Sequence, residues 1–201
     1  MTVRPTGSEF RTVAVVGGGP AAHRLVEALL ARGEDLRVHL YTEEHWSPYD
    51  RVALSRRFLD ATDPLPLAPG AEPWDDPRVE LRTGCRVTAI DPAARTLTTA
   101  AGDVAGWDEL VLATGSAAAR PSIPGAGDMV VYRTIDDVDR LRNQVAELAV
   151  RLGRAPRAAV IGGGLLGLEA AGGLRALGAD VTVVHSRPWV MNAQLDEFGG
   201  R

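Results

Sequence analysis

The chain contains two similar glycine-rich stretches: Val15–Ala22 reads VVGGGPAA, and Val160–Gly167 reads VIGGGLLG. Each stretch follows an apolar run that is typical of a buried parallel strand, and each opens a run with helical spacing. In such a turn the first glycine allows a tight bend and the second admits a pyrophosphate close to the backbone. The last small residue lets the helix pack closely on the strand. Each turn therefore predicts a dinucleotide site.

Candidate binding residues follow from the positions within each turn. The first turn offers Gly17, Gly19, Pro20 and Ala22. The second turn offers the corresponding set, Gly162, Gly164, Leu165 and Gly167. Free N–H groups at the positive end of each helix would hold the pyrophosphate. Since one site holds one dinucleotide, two sites predict a flavin (FAD) together with a nicotinamide dinucleotide.

Both turns lie inside a strand–helix–strand pattern. The first has apolar runs at Thr12–Val16 and Leu36–Tyr41, and the second has them at Arg157–Ile161 and Val181–Val184. The predicted fold class is α/β, with two Rossmann-like FAD/NAD(P)-binding βαβ units. No strand pattern follows His185, so we expect the second unit to be incomplete at the C-terminus and the chain to be a fragment.

The residues that follow the second strand differ between the two units. Glu43 stands at this point in the first unit, where a carboxylate accepts hydrogen bonds from both ribose hydroxyls of an adenosine. The second unit has His185-Ser186-Arg187 there, without an acid. A carboxylate would repel a 2′-phosphate whereas Arg187 and Ser186 would bind one, so NADPH and NADH both stay open as the reductant. His185 is either a donor to a ribose oxygen or a space-filling ring, and Arg187 is equally typical of plain surface.

Two further residues are candidates of a weaker kind. Glu169 lies five residues after Gly164, near the start of a helix, where the helix dipole favours an acid whatever its function. Arg51 stands in the run Pro48–Ser55 and offers a guanidinium fork suited to a phosphate or a flavin carbonyl. Spacing alone favours a surface role for this run.

Composition argues against several classes of function. The formal net charge is −4 and no basic stripe is present, so no nucleic-acid partner is expected. The single cysteine excludes a disulfide within the chain. The four histidines lack metal-ligand spacing, so no metal site is predicted, and the glycine turns lack the lysine of a P-loop. No apolar stretch reaches the about 18 residues that span a bilayer, and the N-terminus lacks a signal peptide's apolar core, so we expect no membrane partner and a cytoplasmic location.

Several motifs resemble those of the large subunits of assimilatory NAD(P)H nitrite reductases. This family belongs to the ferredoxin-reductase-like branch of the pyridine-nucleotide-disulfide oxidoreductases, and the resemblance covers nearly the whole chain. The glycine turns and the Ala-Thr-Gly after a late strand are shared by the whole superfamily, whereas the other motifs point more narrowly. The motifs that support the resemblance are Gly17–Glu27, Tyr49–Ser55, Leu112–Ser116, Val131–Asp137, Gly162–Ala171 and Gln194–Asp196.

The resemblance implies a domain order and a set of cofactor contacts. Residues 1–122 would form the first segment of an FAD-binding domain, and residues 123–201 the N-terminal portion of an inserted NAD(P)H-binding domain. The residues implied to contact FAD, from the pyrophosphate to the ribose and the flavin, are Gly17, Gly19, Ala22, Glu43, Arg51, Ser55, Thr114 and Gly115. Those implied to hold the nicotinamide cofactor are Gly162, Gly164 and Gly167.

The reaction implied by the resemblance is hydride transfer from NADH or NADPH to FAD, after which electrons pass onward singly. In that family the acceptor is an iron–sulfur and sirohaem module that reduces nitrite to ammonia, and such a module needs a cysteine cluster that this sequence lacks. We therefore expect the electron-input part of such an enzyme. Two alternatives stay open: a stand-alone reductase of a small electron-transfer protein such as ferredoxin or rubredoxin, and a truncated, non-catalytic nucleotide-binding fragment.

Overall fold

The chain forms two compact units in the computed structural model, which describes residues 10–33 and 35–201. Among these residues, the first unit comprises those up to Asp50 together with Leu65–Ser116, and the second comprises Arg51–Pro64 and Ala117–Arg201. Each unit contains one of the two glycine turns.

The first unit is built from two β-sheets and a helix. Its elements are β1 (Arg11–Val16), α1 (Pro20–Ala31), β2 (Leu36–Tyr41), a 3-10 helix (Pro73–Asp75), β3 (Val79–Arg82), β4 (Val87–Asp91), β5 (Thr96–Thr99), β6 (Val104–Gly106) and β7 (Glu109–Leu112). Four strands form a parallel sheet in the order β3-β2-β1-β7. Strands β4, β5 and β6 form a separate antiparallel sheet.

Strand β1 organises the core of the first unit because both of its faces are covered. Val15 lies in a buried cluster with Val26 of α1. The next residue, Val16, points to the opposite face and lies in a cluster with Leu97 of β5. Burial on both faces explains why β1 is a continuous apolar run and fixes the position of the glycine turn that follows it.

The second unit has two parallel strands and helices. Its elements are a 3-10 helix (Arg51–Phe58), a second 3-10 helix (Ala126–Asp128), α2 (Ile135–Leu152), β8 (Arg157–Ile161), α3 (Leu165–Ala176), β9 (Asp180–Val184) and α4 (Glu197–Gly200). Helix α2 begins at a capping box formed by Thr134 and Asp137 and ends at Gly153, which has a φ of 62°. Strands β8 and β9 pair along their whole length.

A buried arginine holds the segment Arg51–Pro64 to α2. The side chain of Arg57 is only 4% exposed and donates to both carboxylate oxygens of Asp139, at 3.0 and 3.2 Å. It also donates to the backbone carbonyl of Asp63 at 3.0 Å. A charge in such a buried place needs close partners, and these contacts bind the segment to the second unit.

The βαβ pattern predicted from the sequence is confirmed in both units. Strands β2 and β8 have the predicted bounds, and the ends of the other predicted strands differ by one residue. The run that contains Arg51 and Ser55 forms a 3-10 helix, Arg51–Phe58.

Two short strands, β3 and β6, have no clear strand pattern in the sequence. Strand β3 reads VELR, and its two charged residues hide the apolar pattern of an edge strand that pairs with β2. Strand β6 has only three residues, VAG, and exists because it pairs with β5. Both strands depend on a neighbour more than on their own propensity.

We expect Gly173→Ala to destabilise the second unit. A Cβ at this position of α3 would lie 2.2 Å from a ring carbon of Phe58, so the helix or the ring must shift. Overpacking costs about 1–3 kcal/mol, which matches or outweighs the about 1 kcal/mol that alanine gains over glycine inside a helix.

The neighbouring Gly172 supplies the matched control, because a Cβ there would meet no described atom within 4 Å. Gly172→Ala is expected to raise the free energy of unfolding by the difference in helix propensity between alanine and glycine alone. Denaturant unfolding of both variants measures the difference, and an equal gain in stability for the two would contradict the packing of Phe58 on α3.

Candidate functional site

The first glycine turn connects β1 to α1 with no room for a side chain at its start. The N–H of Gly17 donates to the carbonyl of Tyr41, the last residue of β2, at 2.8 Å. Gly17 has a φ of +111°, and a Cβ there would lie 2.1 Å from the carbonyl oxygen of Ala113. Both the backbone conformation and the packing against the chain after β7 therefore require glycine at this position.

Gly19 borders open space. A Cβ built on it would meet no described atom within 4 Å. Gly19 is the N-cap of α1 in an extended conformation, no side chain caps the first turn, and Pro20 follows inside the helix. Ala22 is fully buried beneath the turn. The helix thus starts with uncapped N–H groups beside open space, which is the arrangement that anion sites at helix N-termini use.

The second glycine turn has the same geometry. Gly162 has a φ of +113°, and its N–H donates to the carbonyl of Val184, the last residue of β9, at 2.9 Å. Gly164 is the N-cap of α3 and has open space at its Cβ position. Gly167 corresponds to Ala22 of the first turn. A Cβ at Gly167 would lie 2.0 Å from the carbonyl oxygen of Gly162, so this position has no room for a side chain. Leu165, the first residue of α3, is exposed beside the turn.

The strand registers show which residues correspond after the second strand of each unit. Val16 pairs with Tyr41 in the first unit, and Ile161 pairs with Val184 in the second. The three residues that follow Tyr41 and Val184 therefore occupy equivalent places. In order, the pairs are Thr42 with His185, Glu43 with Ser186 and Glu44 with Arg187.

Glu43 lies at the end of β2 with an exposed carboxylate. Its partner is Arg86, which donates to it at 3.0 Å, and both side chains are largely exposed. An exposed ion pair of this kind is weak, so a ribose hydroxyl could compete with it. The neighbouring Glu44 accepts a hydrogen bond from the Tyr49 hydroxyl at 2.7 Å. Of the two acids, Glu43 has the carboxylate that is placed to reach a ligand.

Thr114 and Gly115 lie beside the first glycine turn. The backbone nitrogen of Thr114 is 2.9 Å from the Cβ position of Gly17. Gly115 has a φ of 68°, which glycine adopts without strain. The structure thus places these residues next to the turn, and their contact with FAD remains a prediction.

Ser55 and Glu169 meet at Tyr132, a residue that the sequence did not single out as a candidate. Burial raises the pKa of Tyr132 to about 12, with the charge of Glu169 acting in the same direction and the Ser55 hydroxyl in the opposite one. Nearby, Arg51 donates to the backbone carbonyl of Arg133 at 3.3 Å. The predicted residues Arg51, Ser55 and Glu169 all belong to the second unit.

His185 contacts the second glycine turn directly. Its Nδ1 accepts a hydrogen bond from the N–H of Gly163 at 3.1 Å. Ser186 and Arg187 follow with exposed side chains, and Arg187 forms no hydrogen bond or ion pair within residues 10–33 and 35–201. These three side chains lie where the adenosine ribose is held in a Rossmann unit. Their contact with a dinucleotide stays a prediction.

An apolar groove of about 720 Å³ runs along β8. It is lined by that strand, by α2 and α3, and by residues of the segment 117–133 that precedes α2. Among the candidate residues it includes Gly167, while His185 and Arg187 lie outside its lining. The described part of the chain has no group of three or more His, Cys, Asp or Glu side chains that could hold a metal ion. Within the same residues, no helix is both long and apolar enough to cross a membrane.

Several known proteins are similar to this chain in sequence or in fold. The chain is 39% identical over 190 residues to the NAD(P)H nitrite reductase large subunit of Klebsiella oxytoca, which covers 92% of this chain and 19% of that protein. It is 37% identical to the ferredoxin–NAD(+) reductase component of an anthranilate 1,2-dioxygenase system from Burkholderia cepacia, covering 92% of this chain and 45% of that one. The chain thus spans about a fifth of the first relative and less than half of the second.

A crystal structure of a ferredoxin reductase from Rhodopseudomonas palustris has the same fold. It superimposes with a TM-score of 0.78 at 30% identity, over 94% of this chain and 46% of that one. The predicted α/β fold with Rossmann-like units is confirmed by this likeness, and the resemblance to nitrite reductase large subunits is confirmed by the relatives. The expected cofactor classes are those of the homologues, which are FAD- and NAD(P)H-dependent oxidoreductases.

The sequence profile of one family matches almost the whole chain, from residue 11 to residue 200. The profile agrees with the two glycine turns, the strand registers and the relatives described above. The chain belongs to the pyridine nucleotide-disulphide oxidoreductase family.

Proposed function

We propose that the chain is the FAD- and NAD(P)H-binding, electron-input part of a nitrite reductase large subunit. The main observation behind this proposal is the pair of glycine turns with the same backbone geometry, in which Gly17 and Gly162 have φ values of +111° and +113°. The similarity to nitrite reductase large subunits at 35–39% identity supports the finer assignment. Each turn presents helix N–H groups to open space, as a pyrophosphate site requires.

The first unit is proposed to bind FAD. Gly17 lets the chain after β7 approach the turn, Gly19 and Pro20 border the pyrophosphate, and Ala22 packs beneath. Glu43 accepts hydrogen bonds from the ribose, and the backbone at Thr114 and Gly115 lines the site next to Gly17. The resemblance adds Arg51 and Ser55 as flavin contacts, and residues 1–122 as the first segment of the FAD-binding domain.

The second unit is proposed to bind the nicotinamide dinucleotide, within an inserted domain that begins near residue 123. Gly162, Gly164 and Gly167 form its turn, with Leu165 beside it. His185 and Arg187 lie at the ribose end, and Glu169 in α3 is a further candidate contact. When bound, the flavin supplies the ability to accept a hydride and release electrons singly. The protein is proposed to act in the cytoplasm.

A reductase that passes electrons to a small ferredoxin is the second candidate function. The relative from Burkholderia cepacia supports it, since that protein is a ferredoxin reductase component and is 37% identical to this chain. In this case the partner is a separate electron-transfer protein, whereas in the first case it is an iron–sulfur and sirohaem module of the same polypeptide. The two glycine turns serve either partner equally.

Anaerobic spectroscopy tests the proposal. The protein is expected to bind FAD and to lose the visible absorbance of the oxidised flavin when NADH or NADPH is added. Adding nitrite or a ferredoxin as the oxidant to the full-length protein then separates the two candidate acceptors. Binding without flavin reduction would instead indicate a non-catalytic nucleotide-binding protein.

We expect Gly19→Val to abolish FAD binding while the fold stays intact. The position has open space on the protein side, so a valine side chain would fill the cradle itself and collide with the pyrophosphate. The measurement is the flavin content of the purified variant, together with its thermal unfolding.

Ala28→Val is the matched control, because Ala28 lies on the exposed face of the same helix. This variant is expected to keep its flavin at a small cost in helix propensity. An unchanged flavin content in Gly19→Val would remove the first turn from the FAD site. A variant of Gly17 would not serve the same purpose, since its clash is with the protein.

A further inference from the structure

We propose that the segment His185–Met191, here called the phosphate loop, binds the 2′-phosphate of NADPH. In this proposal His185 positions the loop. The inference rests on the proposed function, since it names the dinucleotide that the second glycine turn takes. It also assigns a role to His185 that differs from direct contact with the ligand.

The phosphate loop is hydrogen-bonded at both of its ends to one residue of the glycine turn, Gly163. The N–H of Gly163 donates to Nδ1 of His185 at 3.1 Å. The carbonyl of Gly163 accepts from the N–H of Met191 at 2.7 Å. Met191 has a φ of 50°, in the left-handed region that a residue with a side chain enters only when its surroundings hold it there. The loop and the turn therefore form one piece.

The side chains of the loop also pack closely against the turn. A Cβ at Gly163 would lie 2.8 Å from Cγ of His185 and 2.9 Å from Cγ1 of Val190. In the first unit the equivalent contact is between Gly18 and Thr42, whose Cβ lies 3.0 Å from the Cβ position of Gly18. The contact is thus part of the architecture of both units, but only the second unit uses an imidazole for it.

The hydrogen bond from Gly163 fixes the tautomer of the His185 imidazole. Because Nδ1 accepts from Gly163, the proton of the imidazole lies on Nε2. Nε2 is buried and has no hydrogen-bond partner in the described part of the chain. Since Nε2 is closed to solvent, it is also closed to a ligand in this conformation. His185 therefore acts on the site through the turn and the loop.

The charges at the end of β9 match a phosphate. Ser186 stands where the first unit has Glu43, and Arg187 stands where it has Glu44. A carboxylate at these places would repel a 2′-phosphate, which carries nearly two negative charges. Arg187 is exposed and has no partner among the described residues, so its guanidinium fork is available for a phosphate. The Ser186 hydroxyl adds a neutral donor.

Binding of NADP⁺ and NAD⁺ to the FAD-loaded protein, measured by calorimetry, tests the proposal without any redox step. The parent protein is expected to bind NADP⁺ more tightly. Arg187→Leu should weaken NADP⁺ by about tenfold to a hundredfold, as expected for loss of a charged hydrogen bond, and NAD⁺ by about twofold or less. Arg175→Leu, at the far end of α3 and exposed, is the control and should change neither affinity.

His185 is tested by a double-mutant cycle. His185→Leu removes the acceptor for Gly163 and should weaken NADP⁺ by about tenfold while affecting NAD⁺ less. The combination with Arg187→Leu should be no worse than Arg187→Leu alone, because His185 acts through Arg187. His185→Asn places an amide oxygen close to the position of Nδ1 and should restore the preference for NADP⁺.

The outcomes separate this inference from the proposed function. Equal affinities of the parent protein for NADP⁺ and NAD⁺ would overturn the inference and leave the second turn as a dinucleotide site. Additive effects of His185→Leu and Arg187→Leu, or no rescue by His185→Asn, would overturn the positioning role. Failure to bind either dinucleotide, in a protein that retains FAD, would overturn the assignment of the second turn and the inference with it.

Discussion

The closeness of backbone to backbone at the glycine turns is the constraint on which both candidate sites depend. A Cβ at Gly17 would lie 2.1 Å from the carbonyl oxygen of Ala113, and a Cβ at Gly167 would lie 2.0 Å from that of Gly162. These contacts let each helix start directly above the end of its strand. The first N–H groups of each helix have no partner within the helix, and they are then placed at the end of the strand. The proposed anion binding by each unit therefore depends on steric fit in its interior.

The two units support the same turn with different amounts of structure. In the first, the parallel sheet is covered by α1 on one side and by strand β5 and its neighbours on the other. In the second, two strands carry the turn, and an apolar groove of about 720 Å³ follows β8. A two-stranded sheet has little stability of its own, so the second turn depends on the helices around it. Arg57 contributes here, because its buried contacts hold the segment Arg51–Pro64 against α2.

What could be predicted from the sequence follows from how local each signal is. Strand β1 and the turn after it were predictable because an apolar run, three glycines and a proline stand together in the chain. Strand β3 was not, since VELR becomes a strand only by pairing with β2. Tyr132 was not predicted for the same reason: Ser55 and Glu169, which act on its pKa, are distant from it in sequence. His185 was a candidate by position, but its bond to Gly163 could be seen only in the fold.

The difference between the two strand ends shows how one scaffold can separate two dinucleotides. The turn itself recognises a pyrophosphate, which both cofactors share, so the turn alone cannot discriminate between them. Discrimination must come from the residues after the second strand, where the first unit has Glu43 and the second has Ser186. An exposed arginine gains little from a flexible anion. Fixing Arg187 on a loop that is fastened to Gly163 lowers the entropy lost on binding, and the absence of a carboxylate removes the repulsion. Rigid placement and missing charge are therefore the two features on which the proposed preference of the second unit for NADPH rests.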